Sequence, residues 1–196
     1  NMSLWGTTDG TKPKFLTEEE KKLVFANESG WVLEAGTESA RFTGNDNPNA
    51  QPEVLVAIGN LSNSIGPATI TEIELITPLK GGTFDKSEGG NISVRVRFNE
   101  AVVVSGTPNF VVNNTTNALR HQTCPYVSGS GTNELVFTKT LAAGSGDINA
   151  NDALNVIANA IVLNGGSIKD THANINSEIT NTTAIGTAAG GFTCVD

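Results

Sequence analysis

The residues best suited to chemistry lie in the loop Gly146-Asp147-Ile148-Asn149-Ala150-Asn151-Asp152. Asp147, Asn149 and Asn151 keep the i, i+2, i+4 spacing of a calcium loop, where a hard cation gathers carboxylate and amide oxygens. With Asp152 they form the candidate metal-ligand set, and calcium is the one cofactor the sequence brings into question. An EF-hand needs Gly at the sixth position and Glu at the twelfth, and here those positions hold Asp152 and Ala158. Two readings stay open: a looser calcium site at the end of a sheet, or Asx side chains bonding their own backbone to cap turns. The second is the better supported.

Cysteine and histidine offer a second possibility in Leu119-Arg120-His121-Gln122-Thr123-Cys124. A Cys-His pair needs the imidazole within hydrogen-bond reach of the sulfur. On a strand, positions i and i+3 face opposite sides, so His121 and Cys124 are expected to diverge. The chain has two cysteines, Cys124 and Cys194, which allow one disulfide, but sequence separation does not establish proximity. His172 falls in a turn-rich stretch and is expected to be solvated. No nucleophile elbow, H-E-x-x-H or P-loop occurs. Gly129-Ser130-Gly131 reads as a hairpin tip, since no Lys-Ser/Thr follows it. Asn-x-Ser/Thr triplets begin at Asn27, Asn60, Asn91, Asn113, Asn114 and Asn181, and chance explains them in an Asn- and Thr-rich chain without a secretory signal. The expectation is a protein that is not an enzyme.

The elements that would position these residues are mostly strands. At 196 residues the chain can bury a real core. Charged residues make up 16%, below the roughly 25% of an average domain, and Gly, Ser, Thr and Asn fill the gap. That mix favours turns and short strands. Strand-like runs fall at 69–76, 91–98, 101–105, 109–113, 119–127, 133–140, 153–157 and 160–163. Strict alternation in Asn91-Ile92-Ser93-Val94-Arg95-Val96-Arg97-Phe98 marks one dry and one wet face, with Arg95 and Arg97 on the solvated side. Many short strands with Gly-rich breaks predict a mainly β fold, an immunoglobulin-like antiparallel β-sandwich over 67–196.

Residues 1–66 differ and are expected to form a small α+β arm or domain. Thr17 followed by Glu18-Glu19-Glu20 is a capping box that predicts a short helix over about 18–25. Strand-like runs follow at 30–34 and 53–58. Leu4, Trp5, Phe15, Leu16 and Trp31 are large apolar groups for so little chain, and they are the candidate partner-binding residues. A net charge of −8 argues against nucleic acid, whose phosphates demand clustered Lys and Arg. No segment has the apolar length of a transmembrane helix, and a soluble chain with no membrane partner is expected.

Two stretches resemble known families. Val94-Arg95-Val96-Arg97-Phe98-Asn99-Glu100-Ala101-Val102-Val103-Val104-Ser105-Gly106-Thr107-Pro108, followed by Tyr126-Val127-Ser128-Gly129-Ser130-Gly131-Thr132-Asn133-Glu134-Leu135-Val136-Phe137, resembles the immunoglobulin-like repeats of large bacterial surface adhesins. Ala142-Ala143-Gly144-Ser145-Gly146-Asp147 and Leu163-Asn164-Gly165-Gly166-Ser167-Ile168-Lys169-Asp170 continue that resemblance. Such repeats often carry an Asp-rich stretch after the Ala-Gly-Asp, and Asn replaces some of those acids here. Leu4-Trp5-Gly6-Thr7-Thr8-Asp9 through Lys12-Pro13-Lys14-Phe15-Leu16, with Gly30-Trp31-Val32, resembles the N-termini of virion structural proteins of tailed, contractile-type marine phages.

Together the resemblances imply a virion structural protein on the capsid surface, a decoration or cementing protein. Its partners would be the major capsid protein or other virion proteins, and it would be homo-oligomeric on the particle. The alternative is a tail-associated or cell-surface adhesin-like module with weak affinity for a host-surface glycan.

Overall fold

The computed structural model describes residues 12–34, 47 and 49–196. The fold is mainly β, and its strands join into one hydrogen-bonded network. The chain opens with α1 (Glu18–Lys21), whose capping box is complete: Thr17 Oγ1 accepts from the Glu20 N–H, and Glu20 reaches back to the Thr17 N–H. The helix is four residues long, shorter than the expected 18–25. The apolar run after it is drawn into a hairpin instead, β1 (Val24–Asn27) pairing antiparallel with β2 (Gly30–Leu33). β3 (Glu53–Ala57) adds to β2, and a 3-10 turn (Leu61–Asn63) follows.

Beyond it come β4 (Ile70–Thr77), β5 (Thr83–Asp85), β6 (Gly90–Ser105), β7 (Asn109–Asn114), β8 (Gln122–Ser128) and β9 (Thr132–Leu141). β10 (Ala153–Asn155), β11 (Ile161–Val162), β12 (Ser167–Asp170), α2 (Thr183–Ala189) and β13 (Gly191–Val195) complete the chain. The strand order is β3-β2-β1-β6-β9-β8-β7-β10-β13-β5, with β4 and β12 on β6 and β11 on β7.

β6 is the spine. The runs expected as separate strands at 91–98 and 101–105 form one strand with an irregularity in its ladder to β9, which passes from Arg97↔Glu134 to Val102↔Thr132. The stretch between carries the attachment of the N-terminal elements, through the parallel bridge Ala26↔Glu100. β4 pairs along 93–98 and β12 along 102–105, so the two succeed each other on β6.

The alternation in β6 places Ile92, Val94, Val96 and Phe98 fully inside. The opposite face is not the wet one that alternation implies. Arg97 is only 2% exposed and Ser93 is buried as well. Arg95 and Arg97 are flanked by Glu72 and Glu74 on β4 and by Glu134 on β9, so the face closes over its own ion pairs.

Buried apolar side chains sort into two clusters. The larger gathers inward residues of β4, β6 and β9 with those of β7, β10 and β13; Phe110 and Phe137 meet at a centroid distance of 5.8 Å. The smaller holds Leu23, Val24, Ala26, Trp31, Leu33 and Leu61, with Leu16, Leu55 and Ile58 packed against it. The N-terminal elements thus have a small core of their own. Polar contacts join the two parts: Thr71 Oγ1 donates to the Lys22 carbonyl at 3.4 Å, and His172 Nδ1 lies 3.6 Å from Glu28 Oε1. His172 therefore faces a carboxylate rather than open solvent.

Candidate functional site

The polar residues that converge do so at the end of the sheet where β7 turns into β8. Asn114, the last residue of β7, is 2% exposed and organises that end. Its Oδ1 accepts from the Thr116 and Asn117 N–H groups at 3.0 and 2.8 Å, shaping the 115–121 loop. Its Nδ2 donates to Asp152 Oδ2 at 2.8 Å, which ties this loop to the one at 147–152. The Asn114 backbone N–H donates to His121 Nδ1 at 3.0 Å. With that nitrogen accepting, the neutral imidazole carries its proton on Nε2.

Gln122, at the start of β8 and 1% exposed, makes the second tie. Its Nε2 donates to the Arg120 carbonyl at 2.9 Å and to the Asp147 carbonyl at 2.8 Å. Two carbonyl acceptors fix the amide orientation and leave Oε1 as an acceptor; that atom is buried with no hydrogen-bond partner among the described residues. Between the tied loops lies a cleft of about 330 Å³ lined by Asn117, Leu119, Arg120, His121, Lys139 and Asp147, with Gln122 also contributing. Lys139 Nζ lies 3.3 Å from Asp147 Oδ2.

The predicted metal loop is placed differently from a cation cage. Asp147 is exposed and faces Lys139. Asp152 is buried, and its Oδ2 accepts from the Asn114 side chain and from the Asn149 N–H at 2.8 Å. Asn151 is exposed with φ +68°, a left-handed turn position that Asn tolerates, and its N–H donates to the Cys194 carbonyl. Ile148, fully buried, anchors the loop from below. Asp152 thus bonds the loop's own backbone at Asn149, and among the described residues no three His, Cys, Asp or Glu side chains group as a metal site.

Cys124 and His121 diverge. The thiol is in the core with Sγ 3.6 Å from the Ile92 carbonyl, while His121 is exposed on the loop. Cys124 and Cys194 are both free. Burial pushes the Cys124 thiol up to about 12, and burial with the neighbouring Asp152 charge does the same for Cys194.

The partner-binding candidates also separate. Leu4 and Trp5 lie outside the described residues. Phe15 is 73% exposed, whereas Leu16 packs against the small N-terminal core. Trp31 is fully buried in that core, so it is spent inside the chain and offers no surface to a partner. The Lys12 ammonium lies 5.4 Å from the Trp31 ring centroid and donates to the Lys21 carbonyl at 3.1 Å, which pins the start of the described chain to this core.

A larger cleft of about 380 Å³ lies between α1, β4 and α2. There Lys22 is already held by Glu19 and Glu72, so its charge is compensated. The sequence pointed to Asp147 but not to Asn114, Arg120, Gln122 or Lys139. One signal was present: Gln122 shares the phase of Cys124, so a polar side chain occupies an inward strand position. No protein-family model, curated protein or solved structure matches the chain.

Proposed function

We propose that this chain is a non-enzymatic virion structural protein that decorates or cements the capsid, anchored by its N-terminal segment, with an immunoglobulin-like β-sandwich exposed. The sandwich reading is supported by β8, which pairs with β7 over 122–125 and with β9 from Tyr126 onward, as a strand does when it passes between two layers. Phe110 and Phe137, and Cys124 against the Ile92 carbonyl, then lie between those layers.

The observation that carries the anchoring role is Phe15. It stands 73% exposed two positions after Pro13, which is buried together with Lys12. A large apolar side chain held out from a pinned segment suits a desolvated contact with a shell protein. Major capsid protein or another virion protein is the partner in this reading, with several copies on the particle. A net charge of −8 favours a protein exterior over nucleic acid or an anionic membrane.

The test is co-sedimentation with capsids assembled without this protein. Replacing Phe15 with Asp changes a side chain outside the Trp31 core, and this variant and one that lacks residues 1–11 are both expected to lose association. Undiminished association of both variants overturns the anchoring role. The polar cleft at the β7–β8 end favours a second reading, an adhesin-like module that binds saccharide; retention on host cells rather than on capsids would select it.

A further inference from the structure

We propose that the cleft between the 115–121 loop and Asp147 binds an acidic saccharide, a sugar that carries a carboxylate. This deepens the second reading above and rests on it for the saccharide part. On a chain of net charge −8 the cleft reverses the local sign. Arg120 and Lys139 face it against the single carboxylate of Asp147.

The excess of one positive charge suits a single carboxylate seated in the cleft, as each unit of an acidic oligosaccharide provides. A guanidinium presents the planar fork that pairs with a carboxylate. The Lys139 ammonium has three donors, and its contact with Asp147 leaves others for a ligand. The remaining groups match hydroxyls. His121 offers Nε2–H, because its Nδ1 is occupied by the Asn114 N–H. Asp147, with a side chain 60% exposed, accepts. Gln122, 1% exposed, serves the cleft from beneath by holding the Arg120 and Asp147 carbonyls.

Leu119, 95% exposed on the rim, provides the apolar contact that a sugar's C–H face requires. Among the described residues no Phe, Tyr or Trp side chain lines this cleft. A neutral sugar would lack the stacking platform it ordinarily uses, and recognition falls to charge. A small dianion such as hydrogen phosphate would bring a second negative charge against the Asp147 carboxylate, where only one positive charge is in excess. The cleft is built rather than incidental, since Asn114 and Gln122, both buried, fasten its two walls together.

The experiment is an NMR titration of the isotope-labelled full chain with trigalacturonate, alongside neutral galactotriose and inorganic phosphate. The expected result is trigalacturonate-specific shifts at Asn117, Arg120, His121, Lys139 and Asp147, weakening as salt is raised. Arg120→Ala and Lys139→Ala should each loosen binding by about tenfold or more. Asp147→Asn removes the opposing charge and should tighten binding, a gain that misfolding cannot produce. Equal response to galactotriose overturns acid recognition while leaving saccharide binding standing. Equal response to phosphate reduces the cleft to an anion site and overturns the saccharide part. No response at the cleft to any of the three overturns the proposal together with the saccharide reading.

Discussion

Arg97 Nε donates to Glu134 Oε1 at 2.6 Å, and the two residues are also direct partners in the β6–β9 ladder. The guanidinium extends the other way to Glu72, its partner in the β4 ladder, and to Glu74 at 3.2 Å. Three strands are thus crossed by one row of acid, base and acid. Burial works against the charge on Arg97, but Glu134, with Glu72 and Glu74 behind it, outweighs that and raises its pKa. The same face receives the N-terminal elements, through Lys22 near Glu72.

Removing the buried base from this row should be costly because Glu72, Glu74 and Glu134 would lose their shared partner and keep only Arg95 and Lys22 beside them. Arg97→Ala is expected to destabilise by about 3 kcal/mol or more, in the range seen when a buried pair loses one partner. Glu134 is one-third exposed, and Glu134→Gln should cost only about 1 kcal/mol. Urea unfolding of both variants checks this, and a loss below that of Glu134→Gln for Arg97→Ala would show that the row contributes no stability.

Glu34, at the end of β2, is half-buried, and its pKa is raised by burial first and by the Glu134 charge second. The folded chain therefore holds this proton to higher pH than the unfolded chain does. The stability tied to it is fully present below the unfolded carboxylate value and is lost as pH rises through the raised folded value. Glu34→Gln should accordingly be more stable than the parent at pH 7, by less than about 1 kcal/mol because the group is partly solvated. The advantage should shrink toward zero near pH 4. Melting curves across that interval measure it, and a variant weaker than the parent at pH 7 contradicts the assignment.

Local chemistry made much of the fold legible. The Thr17–Glu20 box marks α1 because capping is written within four positions, and Ile92, Val94, Val96 and Phe98 mark β6 because period two is itself local. The length of α1 was not legible, since pairing of Val24–Asn27 with β2 overrides any continuation of the helix. Nor was the burial of Arg97, which depends on acids more than twenty positions away. α2 and β13 escaped notice: Thr182 caps the helix, but Ala-Ile-Gly-Thr-Ala-Ala carries a glycine and no periodic apolar face. β5 pairs parallel with β13 across most of the chain, a contact no local pattern encodes. In the cleft, Asp147 was visible as a loop acid, while Arg120 and Lys139 become neighbours only when β8 and β9 are laid beside β7.

The hairpin joining β8 to β9 offers a paired test on two glycines. Gly129 has φ +111°, and a Cβ there would run into the Glu134 carbonyl oxygen. Gly131 has φ +88° with open space around it. Gly129→Ala should cost about 3 kcal/mol, combining strain with a backbone collision. Gly131→Ala should cost about 1 kcal/mol, from left-handed strain alone. The tip is also fastened, Ser130 N–H donating to the Tyr126 hydroxyl and Ser130 Oγ accepting from the Val104 N–H, both within 2.9 Å. Equal melting temperatures for the two variants would mean that the tip is not held against β9 as described.

The two thiols give the last prediction. Cys124 is fully buried, Cys194 is 1% exposed, and they are not joined. With both thiols pushed up to about 12, the reactive thiolate is a small fraction of each at pH 8, and burial withholds it from reagent. An aromatic disulfide reagent should therefore titrate almost nothing in the native chain at pH 8 and both cysteines after denaturation without reductant. Added reductant should leave the melting temperature unchanged, because no covalent loop closure is lost. Finding no thiols after denaturation would mean that Cys124 and Cys194 pair. Fast labelling of the native chain would mean that the β10–β13 end of the core opens far more readily than its packing of Leu154, Phe192 and Cys194 indicates.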